Sequence, residues 1–425
     1  MIRVENVTKV FGANPQSVLP LLEQGKTKTE IQSETGHVVG VKDASFKVEA
    51  GQVFAIMGLS GSGKSTLIRC LNRLVEPTSG KIFFEDPEKG ELDVTAMNVE
   101  DLRMLRRHQM SMVFQHFALF PHRTVLSNTV YGLEIQGRDK QEREEIGLKM
   151  LGMVGLGEWA EAYPSELSGG MQQRVGLARG LATEAKLLLM DEPFSALDPL
   201  IRVQMQDELK KIQAELERTI LFITHDLDEA MFIGNKIAIM EAGEIIQIGT
   251  PEEILVNPRT EYVARFVEQA DPTGVITAGT IAIPFRGTAF EQVREAGELK
   301  YLARQAYPEI EYGLDRDGRL REVVSAERSL TVEPLESVLE GRSHTSHERR
   351  RDDTLLTCTN RTVLRKLLQG RTYSTLPIVV TDEDGCAEGI VDEMELIGAI
   401  LEKRGVSEEE AEAGIEAPRG RSSTA

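Results

Sequence analysis

The sequence predicts an α/β fold: a sheet covered by helices on both faces, interrupted by a helical segment and followed by a smaller α+β region. Three observations carry this expectation. Apolar runs of strand length, "KLLLM" (186–190) and "TILFIT" (219–224), flank the helical pattern "IRVQMQDELKKIQAELER", the alternation of a sheet covered on both sides. An apolar strand, Val53–Met57, runs into a glycine-rich loop and then a helix. Beyond about residue 271 the texture changes, and "YGLDRDGRLREVV" (312–324) is echoed by "VVTDEDGCAEGIV" (379–391), with Asp315 and Asp382 offset by 67 positions.

In chain order, residues 1–12 and 40–60 alternate like strands. Between them, residues 13–39 insert two short helix-like pieces, "NPQSVLPLLEQG" and "TKTEIQSETG", each closed by a glycine. Helical periodicity dominates from about 100 to 182. The segment "GTPEEILVNPRTEYVARFVEQ" closes the unit, with Thr250 and Glu253 as a capping box and Pro251 at the first helical position. These features divide the chain into a first domain over 1–270, a second over 271–410, and a tail over 411–425 that lacks core-forming residues and reads as disordered.

The chain of 425 residues is 41% hydrophobic and 28% charged, enough to bury a full core. Its formal charge of −19 argues against a nucleic-acid surface. No apolar run reaches bilayer-spanning length, and the start shows no signal-peptide core. Cys70, Cys358 and Cys386 have no Cys-x-x-Cys spacing, so free thiols in a reducing, cytoplasmic compartment are expected.

"GLSGSGKST" at 58–66 satisfies G-x-x-x-x-G-K-[ST] between a strand and a helix with apolar residues at 67, 68, 71, 74 and 75. Gly58, Gly61 and Gly63 would let backbone amides curl around phosphates, Lys64 would neutralise the β/γ oxygens, and Ser65 would ligate Mg²⁺. "LLLMDEP" ends a buried strand in two carboxylates, which is costly unless they are used. Asp191 is the expected holder of the Mg²⁺ shell and Glu192 the group that polarises a water, the other reading being a helix cap. His225 ends "TILFITH", either as a structural histidine or as a contact to the γ-phosphate. Gln115 ends another strand-like run, where its amide can complete the Mg²⁺ or water shell. Phe117, Leu119 and Phe120 after it suggest either local packing or an exposed docking patch. Ser168, Gly169 and Gly170 in "LSGGMQQR" form a second backbone prepared for an anion.

In this order the motifs resemble those of the ATP-binding cassette (ABC) ATPases, over roughly residues 1–268. Gly58–Thr66, with Ser60 and Ser62 inside it, looks like Walker A; Gln115 the Q-loop residue; Leu167–Gln173 the signature; Leu187–Glu192 Walker B; Ser195–Asp198 the D-loop; and His225 the switch histidine. Phe11 sits where the family places a ring against adenine. The resemblance implies ATP and Mg²⁺ (held by Ser65 and Gln115) as ligands, and Glu192, His225 and Gln115 as the catalytic group. It also implies a head-to-tail homodimer in which Ser168, Gly169 and Gly170, with Asp198, complete the partner's site.

The 13–39 insertion, "VKDASFKV" and "MGLSGSGKSTLIRCLNRLVEPTSG" are similar to ATPases of the glycine betaine/proline/choline importers. That subfamily often carries paired cystathionine-β-synthase-type (CBS) modules, which would account for the 67-residue repeat. The copies depart from the nucleotide-binding CBS pattern: "GIVDEME" places Asp392 and Glu395 at the phosphate and ribose positions, and "EVVSAER" keeps Ser325 but offers Arg328. The expectation is an ATPase subunit at the cytoplasmic face of the inner membrane. It would drive permease subunits fed by an extracytoplasmic substrate-binding protein, with no nucleic-acid partner, for an osmoprotectant or, alternatively, another small solute such as an amino acid.

Overall fold

The structure is a computed structural model that describes residues 1–401 except 87, 88, 217, 269, 287, 305, 306, 327, 341–350 and 352. Contacts divide it into two units between Val267 and Glu268.

The first unit holds two sheets. Strands β1 (Ile2–Phe11), β2 (Val38–Val48), β4 (Ser79–Asp86) and β5 (Gly90–Asp93) form an antiparallel sheet in the order β2-β1-β4-β5. Strands β3 (Val53–Met57), β6 (Met110–Val113), β7 (Leu187–Asp191), β8 (Thr219–Thr224), β9 (Lys236–Glu241) and β10 (Glu244–Gly249) form the other, in the order β10-β9-β3-β8-β7-β6. All pairings there are parallel except the β9–β10 hairpin. Every residue of β3, β7 and β8 is buried, the unbroken apolar run of a parallel strand covered on both faces. One core joins both sheets, from Ile2, Val4 and Phe84 through Phe54, Leu189 and Ile223.

The insertion contains α1 (Leu19–Glu23) and α2 (Lys28–Thr35). Helix α2 starts in a full capping box between Thr27 and Glu30 and stops at Gly36, whose φ is 72°. Val18 and Ile31 pack on Val10 and Val39, pinning the insertion to the ends of β1 and β2. Helix α3 (Lys64–Leu71) buries Leu67, Ile68 and Leu71. It ends there, so Leu74, expected on the same face, is 50% exposed.

Helices α4 (Val99–His108), α5 (Val125–Thr129), α6 (Tyr131–Gln136), α7 (Lys140–Met153) and α8 (Gly169–Ala182) make up the helical segment. Helices α9 (Pro199–Leu216), α10 (Leu227–Ile233), α11 (Pro251–Val256) and α12 (Glu261–Val267) follow. The Thr250–Glu253 capping box is formed in both directions, at 3.1 and 2.8 Å. No helix among the described residues is long and apolar enough to cross a membrane. All three cysteines are free, with Cys70 and Cys358 buried and Cys386 half-buried.

In the second unit, β12 (Phe290–Ala296), β13 (Leu299–Arg304), β14 (Tyr307–Leu314), β15 (Leu320–Ser325) and β16 (Arg328–Ser329) form an antiparallel meander. A mixed sheet has the order β11-β20-β19-β18-β17, from β11 (Ile283–Pro284), β17 (Thr331–Pro334), β18 (Thr354–Thr359), β19 (Ile378–Thr381) and β20 (Ala387–Val391). Its helices are α13 (Ala278–Ile281), α14 (Leu335–Glu340), α15 (Leu364–Arg371) and α16 (Glu393–Leu401). The sequence echo appears as two equivalent turns. The Asp315 carboxylate accepts from Asp317 N and Arg319 N, and the Asp382 carboxylate from Asp384 N and Cys386 N. Gly318 and Gly385 close the turns at φ 83° and 80°, and the two meet through an Arg319–Cys386 bridge. The expected tail over 411–425 lies outside the described residues.

Candidate functional site

Parallel pairing brings the candidate residues to one edge of the central sheet. Met57 pairs with Thr224, Asp191 with Ile223 and Val113 with Met190. The segments carrying Gly58, His225, Glu192 and Gln115 therefore all leave the C-terminal ends of neighbouring strands, where ligands bind in open α/β sheets.

The glycine loop is shaped by close approach. A Cβ on Gly58 would lie 2.2 Å from Met240 O, and one on Gly63 2.3 Å from Gly40 O, so neither position admits a side chain. The Lys64 ammonium is buried and donates to Gly58 O (2.7 Å) and Leu59 O (3.1 Å). Burial lowers its pKa, against the pull of Glu192 and Asp191. Ser62 Oγ is buried with no hydrogen-bond partner among the described residues. A side-chain-free cradle with a buried lysine and an orphaned hydroxyl fits a polyphosphate. Thr66 and Phe11 close on the same backbone, since a Cβ on Gly40 would lie 2.8 Å from Phe11 Cε2 and 3.2 Å from Thr66 Cγ2. The Phe11 ring stays 41% exposed, leaving a face for stacking beside the loop. Ser60 and Gly61 are exposed on the loop's outer side.

Asp191 is fully buried, yet both of its oxygens are partnered: Oδ1 accepts from Ser65 Oγ (3.0 Å) and Oδ2 from Arg69 Nη2 (2.9 Å). The hydroxyl and carboxylate together make an oxygen donor set suited to Mg²⁺. Glu192 leaves the strand with φ 50°, a left-handed backbone that a non-glycine residue adopts at a cost. Its Oε2 accepts from Gln115 Nε2 at 3.1 Å and lies 3.4 Å from His225 Nδ1. Among the described residues neither carboxylate caps a helix, and the helix that follows them, α9, is entered through Asp198 instead.

Ser168 N-caps α8, its Oγ accepting from Met171 N at 3.3 Å, and Ser168 and Gly169 are exposed. Among the described residues no hydrogen bond joins Ser168, Gly169 or Gly170 to the Gly58–Thr66 loop. Asp198 turns the chain into α9 by accepting from Ile201 N (3.1 Å). Phe117, Leu119 and Phe120 are half-buried rather than exposed. Phe120 packs on Tyr131 (4.6 Å between centroids), its backbone is held by Asn128, and Arg179 of α8 donates to Phe117 O and Ala118 O.

Three residues contribute beyond the roles expected of them from sequence. Gln173 is buried; its Nε2 donates to Glu192 O (3.0 Å) and its Oε1 accepts from Ala196 N (2.9 Å), which ties α8 to the turn after the β7 carboxylates. Arg69 neutralises Asp191. Glu229 is buried, accepts from Thr224 Oγ1 (2.6 Å) and has its pKa raised by burial. For Gln173 the signal was its place in "LSGGMQQR"; Arg69 and Glu229 carry no motif signal.

Comparison with known proteins agrees with this geometry. The ABC transporter family model matches residues 41–195. The glycine betaine transport ATP-binding protein of Bacillus subtilis is 46% identical over 94% of this chain and 92% of its own length. The glycine betaine/carnitine transport ATP-binding protein of Listeria monocytogenes is 47% identical over 94% and 97%. The glycine betaine/proline betaine transport ATP-binding protein of Escherichia coli is 43% identical over 96% and 98%. Among solved structures, a dimeric ATP-binding cassette in a post-hydrolysis state bound to ADP and Pi has a TM-score of 0.51 and 29% identity, covering 59% of this chain and 99% of that one. With its phosphate cradle, paired carboxylates and full-length relatives, the chain belongs to the ATP-binding subunits of ABC transporters.

Proposed function

We propose that this chain is the ATP-hydrolysing subunit of an importer for glycine betaine or a closely related osmoprotectant. The names of its full-length relatives support the solute class, and one observation supports the chemistry: Gln115 and His225 converge on one carboxylate oxygen of Glu192, whose charge acts on Lys64. Lys64 and the loop amides bind the β- and γ-phosphates, with Phe11 against the adenine. Ser65, fixed by Asp191, and Gln115 would hold Mg²⁺, which would supply charge neutralisation at the phosphate oxygens. Glu192 accepts the proton of the attacking water, and His225 and Gln115 hold its carboxylate in line.

The exposed Ser168–Gly170 turn, capped at a helix N-terminus, suits the γ-phosphate held by a second copy, so that one symmetric interface makes two sites. Asp198 sits on the turn leading into α9, at that interface. Permease subunits dock in the groove lined by Leu74, Arg106, Phe114, Tyr131 and Ile135. Phe114 precedes Gln115, so docking reaches the site through one loop. The substrate-binding protein acts on the permease from outside, and this subunit stays peripheral on the cytoplasmic face.

The second unit is a CBS-type module in which internal pairing replaces a nucleotide. Arg304 pairs with Asp392 and Glu395, the two positions that would face a nucleotide. Burial and the Asp392 carboxylate push Glu395 up to about 7. Arg351, shortly before β18, lies over the Tyr373 ring at 5.3 Å.

Uptake into vesicles holding the complete transporter tests the reading. Labelled glycine betaine should enter only with ATP on the side of this subunit, and Lys64→Ala should abolish entry. Uptake of an amino acid with glycine betaine excluded would reject the solute class.

A further inference from the structure

Lys28 opens α2 of the insertion, the worst place on a helix for a cation, because the N-terminal macrodipole is positive. It is also half-buried, which strips hydration from its ammonium. Its contacts run toward the phosphate loop. Lys28 Nζ donates to Gly40 O at 3.3 Å, the same carbonyl that a Cβ on Gly63 would meet at 2.3 Å. It also packs on Gly243, where a Cβ would lie 2.2 Å from Nζ. Gly243 N donates to Ser62 O (2.8 Å), and Gly243 O accepts from Lys42 N (2.8 Å). Lys28, Gly40, Gly243, Ser62 and Gly63 thus form one patch on the underside of the loop.

We propose that Lys28 is a positioning residue for ATP, holding the Gly40 carbonyl against Gly63 and supplying a second positive charge behind the phosphate loop. This rests on reading Gly58–Thr66 as the ATP phosphate loop. It makes the insertion part of the nucleotide site instead of a surface ornament. The charged groups facing the ammonium are Lys42 of β2 and Glu244 of β10, themselves paired at 2.7 Å. Burial pushes the Lys28 ammonium down to about 8, with Lys42 lowering it further and Glu244 opposing. A bound triphosphate favours the charged form, so above pH 8 binding must take up a proton and weakens as pH rises.

The test is the KM for ATP and kcat of the assembled transporter at pH 7.5 and 9.0 for wild type, Lys28→Met, Lys28→Arg and Lys64→Ala. In wild type the KM should rise about fivefold between the two pH values. Lys28→Met should raise it about tenfold at pH 7.5 and leave it flat with pH, with kcat within about twofold. Lys28→Arg should hold it low at both, since arginine does not discharge. A Lys28→Met enzyme with the wild-type KM and pH slope, or a Lys28→Arg enzyme that keeps that slope, overturns the inference while Lys64→Ala still loses ATP binding. Normal ATP binding by Lys64→Ala would overturn the reading of the loop, and this inference with it.

Discussion

Gln115 and His225 meet on one atom: Gln115 Nε2 lies 3.1 Å and His225 Nδ1 3.4 Å from Oε2 of Glu192. The two residues follow β6 and β8, the strands on either side of β7, from whose end Glu192 leaves. A shift in either flanking loop therefore re-aims the same carboxylate. Gln115→Ala and His225→Ala should each lower kcat by about 10- to 100-fold. The KM for ATP should move far less, because the phosphate cradle is untouched. Steady-state kinetics separates the two parameters, and a KM-only effect would remove these residues from the water-positioning group.

The signature turn makes a prediction about connectivity. With Lys64→Ala and Ser168→Arg in the same chain of a heterodimer, both composite sites carry a lesion and ATPase activity should nearly vanish. With the two changes in different chains, both lesions fall in one site and the other stays intact. About half the activity should then survive. The reverse ranking would mean that Ser168 serves its own chain's nucleotide.

Gln173→Ala should cost about 2 kcal/mol of stability, because it leaves Ala196 N without its partner and removes one of the donors to Glu192 O, which keeps the Ser195 hydroxyl. Glu192 is held from its backbone side by that contact, so kcat should fall as well. Thermal unfolding together with single-turnover hydrolysis reads both effects. Unchanged stability would mean that water or a neighbour replaces the amide.

Glu229 has its carboxyl raised by burial above the ordinary glutamate value. A raised carboxyl takes up protons on folding, so its ionisation costs stability progressively as pH rises from the unfolded value through the folded one. Glu229→Gln should therefore gain stability relative to wild type at pH 8 and lose that advantage near pH 4. Melting curves across this range check the sign.

Much of the first unit was legible because its chemistry lies in short contiguous motifs at strand ends, where a glycine loop or paired carboxylates have few other uses. The insertion was readable for the same reason, since its capping residues and closing glycines sit next to the helices they bound. What stayed hidden depends on packing between distant segments. Nothing in "STLIRC" marks Arg69 as the partner of Asp191. Phe117, Leu119 and Phe120 look exposed until Asn128, Tyr131 and Arg179 cover and tie the loop. The β12–β16 meander was missed because β12 is exposed along nearly all of its length, so its alternation carries little hydrophobic signal. Only its central turn, repeated around Asp382, showed in the sequence.

The proposed hydrolysis depends above all on Glu192 as the group that activates water. The decisive measurement is single-turnover hydrolysis by Glu192→Gln beside equilibrium ATP binding, in the assembled transporter. Binding should stay within about threefold of wild type and hydrolysis should slow by about 100-fold or more, with an ATP-bound dimer accumulating. Hydrolysis at a near wild-type rate would contradict this role and move the base elsewhere, His225 first.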